Sequence, residues 1–139
     1  MNFDRASVLT RITALYVDKL AAAEFAPFGL SLAQYKIIAY LYAKPKESVT
    51  TSELEAHFQM SHSTSVGLLN NLEKDGWITR KKTPQSGRSK VILLTQRAIK
   101  EKPGLEKAGA ALEKEFTRPL TEEEKEEYIR ISKKILGTG

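Results

Sequence analysis

Between Ser61 and Lys74 the chain gathers short polar side chains whose chemistry suits the edges of nucleic-acid bases: Ser61, His62, Ser63, Thr64, Asn70, Asn71 and Lys74, with Val66 and Gly67 among them. An asparagine carboxamide can meet adenine with an acceptor and a donor together, hydroxyls bond several bases, and a valine methyl can lie against that of thymine. Gly67 carries no side chain and would let a helix backbone approach its target closely. Further on the chain turns cationic. Arg80, Lys81, Lys82, Arg88, Lys90, Arg97 and Lys100 fall between Trp77 and Lys100, a stretch without one acidic residue. An arginine at a flexible tip suits the minor groove, and lysines beside it suit phosphates. The candidate DNA contacts here are Arg80, Lys82, Arg88, Ser89 and Lys90, with Lys81 a further phosphate candidate.

Each feature also has a plainer explanation. A polar stripe is often solvated surface, and charged strands are often there for solubility. What favours recognition is the order: a short capped helix, a turn, a second capped helix, then a basic hairpin.

Other chemistries find little footing. The only histidines are His57 and His62, and there is no cysteine, so disulfides, thiol redox switching and thiolate metal sites are excluded. A metal site would have to recruit carboxylates, and none is assigned. No nucleophile with its base, phosphate-cradling glycine loop or paired carboxylate emerges, so no catalytic residue or cofactor is assigned and the chain reads as a non-enzyme. Tyr16, Phe25, Phe28, Tyr35 and Tyr42 gather in the first two helices. Core packing explains them, though a crevice lined by Tyr16, Tyr35 and Tyr42 is also a candidate for a small apolar or anionic ligand.

The elements that must position these groups follow from periodicity and capping signals. Val8, Ile12, Leu15, Tyr16 and Leu20 recur at helical spacing from about Arg5 to Phe25, before Pro27 and Gly29. Ser31 with Gln34 opens a second helix carrying Tyr35, Ile38, Leu41 and Tyr42. Thr50 with Glu53 repeats that capping signature for a short helix with Leu54 and Phe58 inward. After Gln59-Met60, Ser61 caps the next helix, whose Leu68, Leu69 and Leu72 turn inward and leave Ser63, Gly67, Asn70 and Lys74 opposite. Asp75-Gly76 ends it through a left-handed glycine. Trp77 to Thr83 and Lys90 to Leu94 read as two strands joined by a turn through Pro84, Gln85, Ser86, Gly87 and Arg88. Thr95 caps a long helix to Phe116, kinked at Pro103-Gly104, and Thr121 with Glu124 opens a last one bearing Tyr128, Ile131 and Ile135.

The expected fold is mostly α (α+β): one domain over residues 1–139, a helix-turn-helix followed by a two- to three-stranded antiparallel wing. The 139 residues carry a formal charge of +5, which agrees with an anionic partner. Asp4, Arg5, Arg11, Asp18 and Lys19 break up the first segment, so no secretion signal or membrane span is expected, and a cytoplasmic location follows.

With these elements in place, the chain resembles the MarR family of transcriptional regulators over nearly its whole length, most clearly from Leu30 to Thr95. The strings LSLAQYKIIAYL, TTSELEAHFQMSHSTSVGLLNNLEKDGWITRK and GRSKVILLT carry the likeness. The resemblance implies a DNA-binding part at 30–95, a helical dimerisation part at 1–29 and 96–139, and a homodimer on double-stranded DNA with a near-palindromic operator. It also implies a repressor relieved by a small-molecule effector. It places Ser63, Thr64 and Asn71 on the recognition helix facing DNA and makes Arg88 the wing-tip arginine. The chain departs from the family pattern at Ser86, where an aspartate is common, at Gly67, where a basic residue is common, and at Ala98, where glycine is usual. The competing expectation is a winged-helix module whose basic hairpin meets an acidic protein.

Overall fold

Capping chemistry sets most of the helix starts. In a computed structural model describing residues 4–85 and 87–138, the helices are α1 (Ala6–Phe25), α2 (Leu32–Tyr42), α3 (Thr51–Phe58), α4 (His62–Lys74), α5 (Gln96–Lys100), α6 (Lys102–Thr117) and α7 (Glu122–Leu136). A 3-10 turn, Ala26–Phe28, follows α1, and the strands are β1 (Ile78–Lys81) and β2 (Val91–Leu94). Ser31 and Thr121 form complete reciprocal capping boxes with Gln34 and Glu124. At Thr50 only half of the box forms: its hydroxyl accepts from the Glu53 amide, while the Glu53 carboxylate accepts from Tyr40 Oη at 2.8 Å instead.

The antiparallel pair β1–β2 runs in the register Ile78↔Leu94 to Lys81↔Val91, and Thr50 adds a one-residue bridge to Val91. Both strands are shorter than the expected spans of Trp77 to Thr83 and Lys90 to Leu94, because beyond Lys81 and before Val91 the two segments part into the wing. The long helix expected after Thr95 is two helices. It breaks at Glu101, ahead of the expected kink, because Pro103 has no N–H for the Ile99 carbonyl and its ring crowds that group.

One core joins the elements. Phe25, Ile37, Ile38, Leu54, Leu69, Leu72, Trp77, Ile78, Ile92 and Leu105 are all buried, and Phe25 stacks on Tyr35 with ring centroids 4.2 Å apart. The apolar stripe of α1 behaves differently. Val8, Leu9, Ile12, Leu15 and Tyr16 are exposed, as are Tyr128, Ile131, Ile135 and Leu136 of α7, which has no buried residue. Ala6 and Leu9 face Ile131, Ile135 and Leu136 across an apolar groove of about 410 Å³. Among the described residues, no helix is long and apolar enough to cross a membrane.

Candidate nucleic-acid interface

Ser61 anchors α4 by accepting from the Thr64 amide at 3.2 Å while its hydroxyl donates to Thr64 Oγ1 at 2.9 Å. Its oxygen is therefore committed to the helix start. The inward face of α4 is made by Ser65, Leu69 and Leu72. Leu68, expected inward, is only half-buried, and the position one turn before Leu69 belongs to a serine. That serine is not an orphan: Ser65 Oγ donates to Glu55 Oε2 on α3. The same carboxylate oxygen lies 2.8 Å from His62 Nδ1. These contacts hold the Glu55 carboxyl below its ordinary value, the Ser65 hydroxyl first, against the opposing effect of burial. One carboxylate thus ties the two helices of the helix-turn-helix together and orients His62, whose side chain is 77% exposed.

The outward face carries Ser63, Thr64, Gly67, Asn70, Asn71 and Lys74, all exposed, and Val66 is half-buried at its edge. A Cβ on Gly67 would meet nothing within 4 Å, so the space in front of it is open and a partner could come up to the helix backbone. Gly76, at φ +81°, then turns the chain into β1 in a conformation that side-chain-bearing residues rarely adopt.

The basic candidates divide into paired and open groups. Arg80 Nη2 donates to Asn70 Oδ1 at 2.7 Å and to Glu73 Oε1 at 2.8 Å, and its guanidinium holds the Glu73 carboxyl below its ordinary value. Lys81 pairs with Glu47. Ser89 is half-buried and accepts from the Ser52 amide at 3.1 Å and from its hydroxyl, tying the wing to α3. Lys82, Arg88 and Lys90 are exposed. Ser86, where the family pattern has aspartate, lies outside the described residues.

An open cleft of about 370 Å³ between α3, α4 and the wing brings His62, Val66, Arg80, Arg88, Ser89 and Lys90 together. Glu55 and Ser52, not singled out from the sequence, line it too. Ser65 was equally unmarked, yet its spacing from Leu69 and Leu72 puts all three on one helical face.

The tyrosines do not converge. Tyr35 and Tyr42 line a cavity of about 180 Å³ with Ala39, Ala43, Lys102 and Glu106. Tyr16 lies elsewhere, exposed, with its ring 6.4 Å from that of Phe116. Tyr42 Oη donates to the Ala98 carbonyl, and burial, then Glu101 and Glu106, push its phenol up to about 12. His57 is exposed with its ring 4.4 Å from that of Tyr40.

Comparison with known proteins agrees with this arrangement. The model of the MarR family matches residues 28–89. The HTH-type transcriptional regulator YfiV of Bacillus subtilis is 30% identical over 121 residues, covering 83% of this chain and 74% of that protein. The HTH-type transcriptional regulator PapX of Escherichia coli is 29% identical over 113 residues, 81% of this chain and 69% of its own. The crystal structure of a MepR–DNA complex from S. aureus superimposes with a TM-score of 0.84 at 27% identity, covering 97% of this chain and 98% of that one.

Proposed function

Because the chain belongs to the MarR family of DNA-binding transcriptional regulators, which are not enzymes, we propose that it acts in the cytoplasm as a homodimeric repressor on near-palindromic duplex operators, released by a small ligand. Residues 30–95 are the DNA-binding part, and 1–29 with 96–139 the dimerisation part. The observation that carries this reading is the cleft in which the edge of α4 meets the cationic wing. The exposed face of α4 enters the major groove, and Lys82, Arg88 and Lys90 meet phosphates and the adjacent minor groove. MepR, similar over nearly the whole chain, has been crystallised with DNA, which supports the same mode here.

Dimerisation rests on the exposed apolar side chains of α1 and α7, a concentration of the kind that marks an interaction surface. A twofold axis then sets two α4 helices about 34 Å apart, so symmetry in the protein demands symmetry in the site. Ligand release rests on the cavity at Tyr35 and Tyr42, whose rim carries the Lys102–Glu106 ion pair, 3.7 Å apart. Such a ligand must bind one spacing of the α4 pair better than the other.

Selecting bound fragments from a random duplex pool with purified protein tests the reading. Inverted repeats are expected, together with a dimer by ultracentrifugation. Lone subunits, or no mobility shift at low ionic strength, would refute it.

A further inference from the structure

On β1, Arg80 shares its face with Ile78, and its guanidinium turns back onto α4. The nitrogen Nη2 has two hydrogens and two acceptors in reach, Asn70 Oδ1 and Glu73 Oε1. A guanidinium offers donors only, so the branch of the Asn70 carboxamide that meets it is the oxygen. The reversed amide would set N–H against N–H. The NH2 branch consequently points away from Arg80, on a residue that is itself exposed on α4.

We propose that Arg80 sets the orientation of the Asn70 carboxamide, so that Asn70 offers a donor to the DNA and reads a keto oxygen, guanine O6 or thymine O4, where adenine and cytosine carry an amino group. The fork that selects adenine needs both branches of the carboxamide in one plane, the oxygen accepting from N6 and the nitrogen donating to N7, and a donor alone meets the N6 amino group as donor against donor. With its oxygen held by a charged donor, Asn70 can form that fork only by giving up a charge-assisted hydrogen bond, the stronger kind. Glu73 steadies the clamp, because the carboxylate on the same nitrogen keeps the guanidinium against α4. Arg80 is thus a positioning residue, and Asn70 the residue that determines specificity. The inference rests on the reading of α4 as the major-groove helix.

The test is selection from randomised duplexes with the full chain in four forms: wild type, Asn70→Ala, Asn70→Asp and Arg80→Met. Wild type should enrich guanine or thymine about tenfold over adenine at one position in each half-site. Both Asn70 variants should lose that preference. Asn70→Asp is the informative one, since it keeps an acceptor for Arg80 while removing the donors; because it also adds a negative charge, it is judged by the motif it enriches and not by its affinity. Arg80→Met, which releases the carboxamide, should move the same position toward adenine. Adenine enriched by wild type at the Asn70-dependent position would overturn the proposal. So would a motif unchanged by both Asn70 substitutions, or an Arg80→Met protein that melts like wild type and keeps its base preference. Recovery of no half-site motif by wild type would be a different failure: it would refute the DNA-binding reading and take this inference with it.

Discussion

Replacing Arg88 and Lys90 together by alanine should flatten the salt dependence of duplex binding, whereas replacing Lys81 alone should barely change it. Arg88 and Lys90 are exposed at the cleft beside α4, and among the described residues neither has an ion-pair partner. Lys81 already holds Glu47, whose carboxyl it keeps below its ordinary value. A cation that meets a DNA phosphate releases counterions, and each neutralised phosphate contributes about 0.9 to the slope of log affinity against log salt. Two such side chains in each of two protomers account for about 3.6 of that slope. Between about 50 and about 200 mM salt, wild type should therefore lose on the order of a hundredfold more affinity than the double variant. Lys81 would first have to leave Glu47, exchanging one ion pair for another, so its net counterion release is small. Fluorescence anisotropy with a labelled operator over a salt series measures all three slopes, and circular dichroism melts confirm folding. An unchanged slope in the double variant, or an equal flattening from Lys81→Ala, would refute the division into open and paired cations.

Further predictions concern the supports of the site. Glu55 has its pKa depressed in the folded protein, so its contribution is complete above the unfolded value and is lost as pH falls through the folded one. Urea midpoints should accordingly fall more steeply from about pH 5 to about pH 3 in wild type than in Glu55→Gln; parallel curves would count against the Ser65–Glu55–His62 tie. Gly109→Ala should cost about 1 to 3 kcal/mol in thermal unfolding. Its Cβ would stand 2.0 Å from Tyr35 Oη, and that ring is backed by Phe25; an unchanged melting temperature would mean the ring yields freely. Tyr42 has its pKa raised to about 12, so its contribution is present below the unfolded value and lost as pH rises through the folded one. The phenols of Tyr35 and Tyr40 are raised as well, so an ultraviolet titration should show a late-ionising group of tyrosines that is one fewer in Tyr42→Phe, which should also cost about 1 kcal/mol by loss of the bond to Ala98.

Much of this was written in short-range chemistry. Ser31, Ser61, Thr95 and Thr121 each start a helix because a hydroxyl meets an amide three residues on, a relation a linear reading captures. The exposed face of α4 was legible for the same reason, since helical spacing separates it from Leu69 and Leu72. Arg80 was harder: its charge placed it with the wing, while strand alternation puts it on the side of Ile78, where α4 waits. Charge outweighed periodicity in that reading. Glu53 illustrates a different limit, because its carboxylate is drawn away from capping by Tyr40, a partner on another helix. On α1, periodicity identifies an apolar face without saying what covers it, and Val8, Ile12, Leu15 and Tyr16 of that face are exposed. The break at Glu101 sits before Pro103 because a proline's effect falls on the preceding turn.

The central claim is that two α4 helices, fixed by a dimer, read two half-sites one helical turn apart. It is tested most directly by inserting about five base pairs, half a turn, between the half-sites of a selected operator. The account predicts that binding falls to the level of random duplex, because the second half-site rotates to the far face of the DNA. Equal affinity for the native and lengthened operators would contradict it.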